Sequence, residues 1–402
     1  MIKTFLKKYW PVFALIAITI FAFYIRSLNV VPDRILSFDP TFQFRFTKYF
    51  SDWGFLPNWD ELTYYVGRPI DNTLMGPLML YLTVILYWIL SPLLGFSLLT
   101  TCSYAAAIYG ALICIPAFLI GRELSNKYGG LMCAFLMGTA PQILIRTFGS
   151  SYDTDQIAIF FLLLTMYLTI YALRKKNISS FSLALTGFAA FMVAWGLFIY
   201  SFAIVAFAVV MHLILSTLLM KKEHIKEGIE VRKTMNESFK ESFREFKKNF
   251  YLMVGLFASM TMVGFILKSG VIESLQSIVG FAGKAEAWIV NISIAELQAF
   301  NIFNLNGWMM ATGNFMTSVQ MIDITIFAIF LAFMGVALYA TYKKDMWKFS
   351  FITTLILIGI YTTFRGIRFT EFTSALFIIV IASGFGYFVE YMKKDDYLKI
   401  FS

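Results

Sequence analysis

The chain has 402 residues, 59% hydrophobic and 14% charged, with a formal net charge of +9 and a strongly positive mean hydropathy. No soluble domain buries so much apolar surface, so the bilayer must act as solvent for most of the chain. The cations are spread over short connections between apolar runs rather than gathered in one patch, which excludes nucleic acid as a partner.

Apolar runs long enough to span occur at about 9–28, 98–121, 128–147, 155–173, 179–197, 199–220, 250–269, 320–341, 348–364 and 370–391. They predict an all-α, polytopic transmembrane helical bundle of about 10–13 helices. The first run carries no small-residue cleavage site, only Arg26, Ser27, Leu28 and Asn29 after it, so it reads as a retained helix rather than a signal peptide. A further run at 74–92 either crosses or lies along one surface. Cys102, Cys114 and Cys133 all fall inside apolar runs without short spacing, which fits buried packing residues better than disulfides or zinc ligands. No internal repeat and no low-complexity tract is found.

Charge sets the orientation. Lys3, Lys7 and Lys8 precede the first run, and Arg122 and Lys127 separate the second from the third. Arg174, Lys175 and Lys176 follow the fourth, and the block 221–249 holds nine basic and six acidic residues. Lys343, Lys344 and Lys348 come later, and Lys393, Lys394 and Lys399 close the chain. If all of these are cytoplasmic, 23 of the 33 Lys and Arg face the cytosol, and ten spans alternate without contradiction provided 74–92 does not cross. Segment 221–249 then reads as a mostly helical, solvated cytoplasmic loop. Four elements reach the other face: the loop 29–73, the turn 148–154, the loop 270–319 and the turn near 365–369. Loop 29–73 holds six acids against four basic residues, the reverse of the cytoplasmic bias. Loop 270–319 has the length of a lid or binding segment.

Candidate chemistry lies in these outer elements. Asp39, in Ser37-Phe38-Asp39-Pro40, precedes a proline that is expected to hold it extended, outside the following helix. Aromatics at Phe42, Phe46, Tyr49, Phe50 and Trp53 make 41–53 an amphipathic interfacial helix, and Asp39 would serve equally well as its N-cap. The second turn reads Arg146-Thr147-Phe148-Gly149-Ser150-Ser151-Tyr152-Asp153-Thr154-Asp155. Its two carboxylates suit a helix start, and an ionisable group at a membrane boundary needs a partner, for which Arg146 is the candidate. Glu296, in Ser293-Ile294-Ala295-Glu296, is a lone acid in an apolar stretch of the long loop. Arg365 and Arg368, in Phe364-Arg365-Gly366-Ile367-Arg368-Phe369-Thr370-Glu371, sit at the last outer mouth, and arginine's planar fork suits a phosphate or pyrophosphate. Each of these residues has an ordinary structural use as a cap, a solvated acid or a snorkelling cation. Together, carboxylates from three outer segments offer all-oxygen ligation for a hard divalent ion such as Mg²⁺ or Mn²⁺. His212 and His224 fall on the other side, so no histidine zinc site is available there. Carboxylates, a divalent ion, arginine and a membrane suggest group transfer from a phosphate-bearing lipid.

At this point the sequence resembles the catalytic subunit of oligosaccharyltransferase, a family that includes the single-chain bacterial and archaeal enzymes. The resemblance runs from residue 9 to about 391 and rests on five motifs in the family's order. They are Phe38-Asp39-Pro40, Gly67-Arg68-Pro69, the turn from Arg146 to Asp155, Ser293-Ile294-Ala295-Glu296, and Gly366 through Thr370. It implies a glycosyltransferase of the GT-C fold, with residues 1–402 as its transmembrane catalytic domain. It also implies an active site on the non-cytoplasmic face of a prokaryotic cell membrane. Asp39, Asp153 and Glu296 would bind Mn²⁺ or Mg²⁺, with Asp155 and Arg146 in support. Asp39 and Glu296 would also contact the acceptor carboxamide, while Arg368, and less directly Arg365, would hold the pyrophosphate. The partners implied are a polyprenyl-linked oligosaccharide donor, an acceptor polypeptide and membrane lipids.

The family continues into an outer soluble domain with a W-W-D-Y-G motif that reads the sequon, and this sequence contains no such motif. It is therefore expected to be a truncated or split product, or a variant that selects acceptors with a separate subunit. Two other readings stay open: a polyprenyl-phosphate-dependent glycosyltransferase with a different acceptor, and a transporter of lipid-linked sugars. The transporter reading asks for mid-membrane charges and inverted repeats, whereas here the acids sit at helix ends.

Overall fold

Inside a bilayer an unpaired backbone group has no water to bond, so apolar runs of this length must become helices. A computed structural model describes residues 2–36, 38–62, 67–70, 76–196, 198–226, 231–267, 305–313, 320–365 and 370–394, and these form an all-α bundle. Helices α1 (Ile2–Ser27) and α2 (Phe38–Trp53) are followed by a small antiparallel pair, β1 (Trp59–Asp60) and β2 (Arg68–Pro69), with Trp59 opposite Pro69. Next come α3 (Pro77–Leu94), α4 (Leu98–Leu112), α5 (Cys114–Leu124), α6 (Lys127–Thr139) and α7 (Pro141–Thr147). The chain continues with α8 (Asp155–Lys175), α9 (Ile178–Ala194), α10 (Ile199–Lys226) and α11 (Val231–Ile266). Then follow α12 (Leu305–Ala311), α13 (Gln320–Lys344), α14 (Met346–Arg365) and α15 (Thr370–Lys394). Within the block 221–249, residues 221–226 end α10 and residues 231–249 open α11.

Among the described residues nine helices are long and apolar enough to cross a membrane, or ten if one bent pair counts as a single span. The bent pair is α6 with α7, turned by 54° at Ala140, so the run at 128–147 is a broken span and not a straight one. Helix α9 has 17 residues, about 25 Å of rise, enough for a thin hydrocarbon core.

Helix α3 passes the same test, yet both of its ends meet one end of the bundle. Gly76, at φ 54°, lies so close to Thr154 and Ala194 that a Cβ there would come within 2.7 Å of each. At the far end the chain turns into Ser97, which donates to Asp33. The segment around Asp33 is tied to the 148–154 turn: Leu36 N–H donates to Ser150 O at 3.0 Å. Phe50 of α2 meets Tyr81 of α3 in a tilted ring contact at 4.4 Å. The connections are those of a helix lying along that end. With α3 set aside and α9 included, ten membrane segments remain among the described residues.

Polar contacts sort the two ends. Arg174 pairs with Glu123, Lys344 with Glu390 at 3.0 Å, and His212 with Glu245 at 3.6 Å, joining α8 to α5, α13 to α15 and α10 to α11 at the lysine-rich end. The other end gathers the last turn of α1, α2, the α7–α8 turn and the starts of α4 and α15. There Ser374 donates to Ala311 O at 2.9 Å, bringing α12 onto α15.

One expectation is corrected here. Asp39 is not extended before its proline but lies in the first turn of α2, which begins at Phe38. The first turn of a helix needs no N–H from Pro40, so proline is tolerated there and does not exclude Asp39. All three cysteines are buried and free, as expected of packing residues.

Close packing of the bundle depends on Gly384, where a Cβ would fall on the Phe333 carbonyl of α13. Gly384→Val should therefore force α13 and α15 apart and destabilise the bundle by about 1–3 kcal/mol. Thermal unfolding in detergent, compared with wild type, measures the loss.

Candidate active site

The acidic turn is built by a break in a helix. Pro141 has no N–H, so the Met137 carbonyl loses its helical donor, and the bend at Ala140 frees the Gly138 carbonyl as well. Arg26, wholly buried near the end of α1, fills both vacancies: Nη1 donates to Gly138 O at 2.6 Å and Nη2 to Met137 O at 3.5 Å. Its Nε donates to Thr147 Oγ1 at 2.9 Å, and Nη1 also reaches Ala22 O at 3.0 Å. The Arg26 carbonyl in turn accepts from Gly149 N–H at 2.9 Å, so a single residue holds the break, the last turn of α7 and the start of the acidic turn.

The turn itself is pinned from several sides. Ser150 adopts φ 68°, a conformation costly for a residue with a Cβ, and is held there by its neighbours. Ser150 N–H donates to Ser103 O at 3.1 Å, its carbonyl accepts from Leu36, and its hydroxyl accepts from Val31 N–H at 3.2 Å. The Gln156 amide donates to Arg146 O at 2.9 Å and to Ser151 O at 2.5 Å, clamping the two ends of the turn together. Tyr152 is fully buried and shares a hydrogen bond of 2.9 Å with Thr47 of α2.

On this frame sit the carboxylates. Asp153 accepts from Thr154 N–H at 2.7 Å. Asp155 opens α8, where the helix dipole favours a negative charge, and lies 4.0 Å from Arg146 Nε, a long ion pair. Asp39 is exposed in the first turn of α2. Its helix touches the acidic turn through Thr47 and Tyr152, and Leu36, three residues earlier, bonds Ser150, three residues before Asp153. The segments of Asp39, Asp153, Asp155 and Arg146 thus share one end of the bundle. Glu296 and Arg368 lie outside the described residues, and Arg365 closes α14 at the same end. Among the described residues no three acidic, histidine or cysteine side chains converge as a metal cage.

The outer loop carries its own fastenings. Arg45 of α2 binds Asp60, which is wholly buried, at 2.5 Å, and its guanidinium covers Phe42 and Phe46 at 5.2 and 5.5 Å. Hydrogen bonds from Ser97 and then Thr100 hold the Asp33 carboxyl below the usual carboxylate range. Two more carboxylates, Asp323 and Glu371, are buried in the first turns of α13 and α15 at this end.

The sequence reading passed over Arg26 as a flanking residue and gave Gln156 no role. A signal for Arg26 was present: Pro141 inside an apolar run frees a carbonyl that some buried donor must satisfy.

The chain matches the family described as Oligosaccharyl transferase STT3, N-terminal, over residues 10–400. It belongs to that family. It is 30% identical over 193 residues to the rice (Oryza sativa subsp. japonica) dolichyl-diphosphooligosaccharide–protein glycosyltransferase subunit STT3B, covering 46% of this chain and 27% of that protein. Its fold is that of the archaeal oligosaccharyltransferase AglB from Archaeoglobus fulgidus, solved in complex with an inhibitory peptide and a dolichol-phosphate. The TM-score is 0.69 at 16% identity, over 99% of this chain and 52% of that one. The same archaeal enzyme in complex with zinc and sulfate aligns with a TM-score of 0.62 at 17% identity, over 96% of this chain and 50% of that one. The chain therefore spans about half the length of these solved relatives and has the all-α, multi-pass GT-C architecture.

Arg26→Met should remove the donors to Met137 and Gly138 and cost about 1–3 kcal/mol for each carbonyl left unsatisfied. Thermal unfolding should show a clear fall in Tm, partly restored by Arg26→Lys, which keeps one cationic donor.

Proposed function

We propose that this chain is the catalytic membrane portion of an oligosaccharyltransferase. It moves a glycan from a polyprenyl-(pyro)phosphate carrier to the side-chain amide of an asparagine in an acceptor protein. The observation that carries this reading is the family match along residues 10–400, which spans all five motifs, including the braced turn from Arg146 to Asp155. The donor set fits a hard divalent ion, since every candidate ligand is a carboxylate oxygen. Asp39, Asp153 and Glu296 would hold it, with Asp155 kept in place by Arg146. Mn²⁺ or Mg²⁺ bound there supplies a fixed positive charge beside the reacting amide.

The protein's own groups do the rest. An amide nitrogen is a poor nucleophile because its lone pair is conjugated with the carbonyl. Asp39 and Glu296 orient the carboxamide and weaken that conjugation, so that the nitrogen attacks the anomeric carbon of the first sugar. The bond from that carbon to the pyrophosphate oxygen breaks, the nitrogen gives up one proton to a carboxylate that holds the amide, and Arg368, aided by Arg365, binds the departing pyrophosphate. The reaction runs at the end of the bundle opposite the lysines, on the non-cytoplasmic side if the lysine-rich end faces the cytosol. Reading of the acceptor sequon is assigned to a segment or subunit that carries the remaining half of the relatives' length.

The test is glycosylation of a sequon peptide by membranes carrying this chain, with a lipid-linked oligosaccharide, Mn²⁺ and the C-terminal portion of a longer relative supplied in trans. A Mn²⁺-dependent mass shift of the peptide is expected. Asp153→Asn should lower kcat by about a hundredfold or more, as expected for loss of an electrostatic group at the reacting centre, and Arg368→Ala should act chiefly on the donor. Full activity in Asp153→Asn, or transfer indifferent to divalent ions, overturns the assignment.

A further inference from the structure

A cavity of about 680 Å³ opens at the lysine-rich end, where α1, α5, α6 and α15 meet, far from the acidic turn. Its lining is unusual in composition: Arg122, Lys127 and Lys393 contribute three cations and Glu390 the one acid. That acid is already engaged, since Lys344 donates to it at 3.0 Å. Pro11 and Phe118 supply the apolar wall. Among the described residues Arg122 and Lys127 lie over rings: Arg122 over Phe118 at 5.9 Å, and Lys127 over Trp10 and Tyr128 at 5.0 and 5.4 Å. Lys393 lies over Tyr128 at 4.0 Å. The positive charge is therefore gathered over aromatic faces and not spent on carboxylates.

The cavity is also preformed. Asn126 caps α6 through Tyr128 N–H at 3.0 Å and donates to Gly386 O of α15 at 2.7 Å. Tyr387 donates to Leu124 O at 2.8 Å, a second staple between α15 and the α5–α6 junction. These bonds hold the three cations around one space without closing it. A cationic rim over an apolar wall between transmembrane helices matches a ligand with an anionic head and a hydrocarbon body.

We propose that this cavity is a binding site for an anionic glycerophospholipid of the leaflet at the lysine-rich end. The headgroup phosphate is bound among Arg122, Lys127 and Lys393, and an acyl chain lies along Pro11 and Phe118. Arg122 provides the planar fork that a phosphate accepts best. The site lies at the opposite end of the bundle from the acidic turn, so its occupant is a structural or regulatory lipid and not the glycan donor.

The test is native mass spectrometry of the purified full chain in a neutral detergent, titrated separately with phosphatidylglycerol, phosphatidylcholine and inorganic phosphate. Wild type should retain one phosphatidylglycerol at least tenfold more tightly than phosphatidylcholine, and inorganic phosphate should not displace it at equal concentration. The double variant Arg122→Gln/Lys393→Gln should lose that affinity by about tenfold or more, from two cations removed near the membrane surface. The double variant Lys175→Gln/Lys176→Gln, with the same charge removed from the same end outside the cavity, should bind as wild type does. Equal loss in both double variants would show general surface attraction and overturn the site. Equal retention of phosphatidylcholine would also overturn it, as would displacement by inorganic phosphate. If the first double variant melts well below wild type without lipid, Lys127→Gln replaces it under the same criteria.

Discussion

A carbonyl released from a helix inside a membrane must find a donor, and around that requirement the candidate site is organised. Pro141 interrupts α6 and α7 and leaves Met137 and Gly138 without their helical partners. Burying an arginine at that depth is expensive, and the expense is offset because every contact of the Arg26 guanidinium given above goes to an oxygen. The same residue's carbonyl receives Gly149, so the break and the turn that follows form one unit. Were the span straight, α7 would continue along α6, and Arg146 would not stand beside Asp155.

The two ends of the bundle divide the remaining work. At the lysine-rich end, ion pairs and aromatic faces absorb charge and tie neighbouring helices together, as in Arg174 with Glu123 and Lys344 with Glu390. At the opposite end Arg45 is paired with the buried Asp60, and Arg146 stands 4.0 Å from Asp155. Asp39 is exposed in the first turn of α2. Rigidity there comes from Gln156, Tyr152 and Ser150, which fix the backbone while leaving the acidic groups to chemistry. A surface that must bind and release ligands needs such a division between frame and functional group.

Much of this was legible in the residues themselves. Apolar runs located the membrane helices because the bilayer permits little else, and the lysine distribution sorted the loops into two groups that side-chain contacts then join separately. Asp39 was misread because the extended preference of a residue before proline is a steric bias and not a ban, and Pro40 itself falls in the first turn, where no N–H is required. The bend at Ala140 was hidden by hydropathy averaging, although Pro141 announced it. Arg26 looked like a flanking cation because nothing local indicates that residues more than a hundred positions away will supply its acceptors. The staples Asn126 to Gly386 and Tyr387 to Leu124 are long-range for the same reason, and the lipid-sized cavity beside them exists only once those helices meet. Glu296 and Arg368 were assigned from motif resemblance, and they lie outside the described residues.

Oxygen ligands from three outer segments are proposed to hold one divalent ion. Equilibrium Mn²⁺ binding to the purified chain, followed by electron paramagnetic resonance, tests it most directly. One Mn²⁺ per chain is predicted, with affinity falling by about tenfold or more in each of Asp39→Asn, Asp153→Asn and Glu296→Gln, since each removes a direct charged ligand. Unchanged Mn²⁺ binding in all three variants would contradict the account.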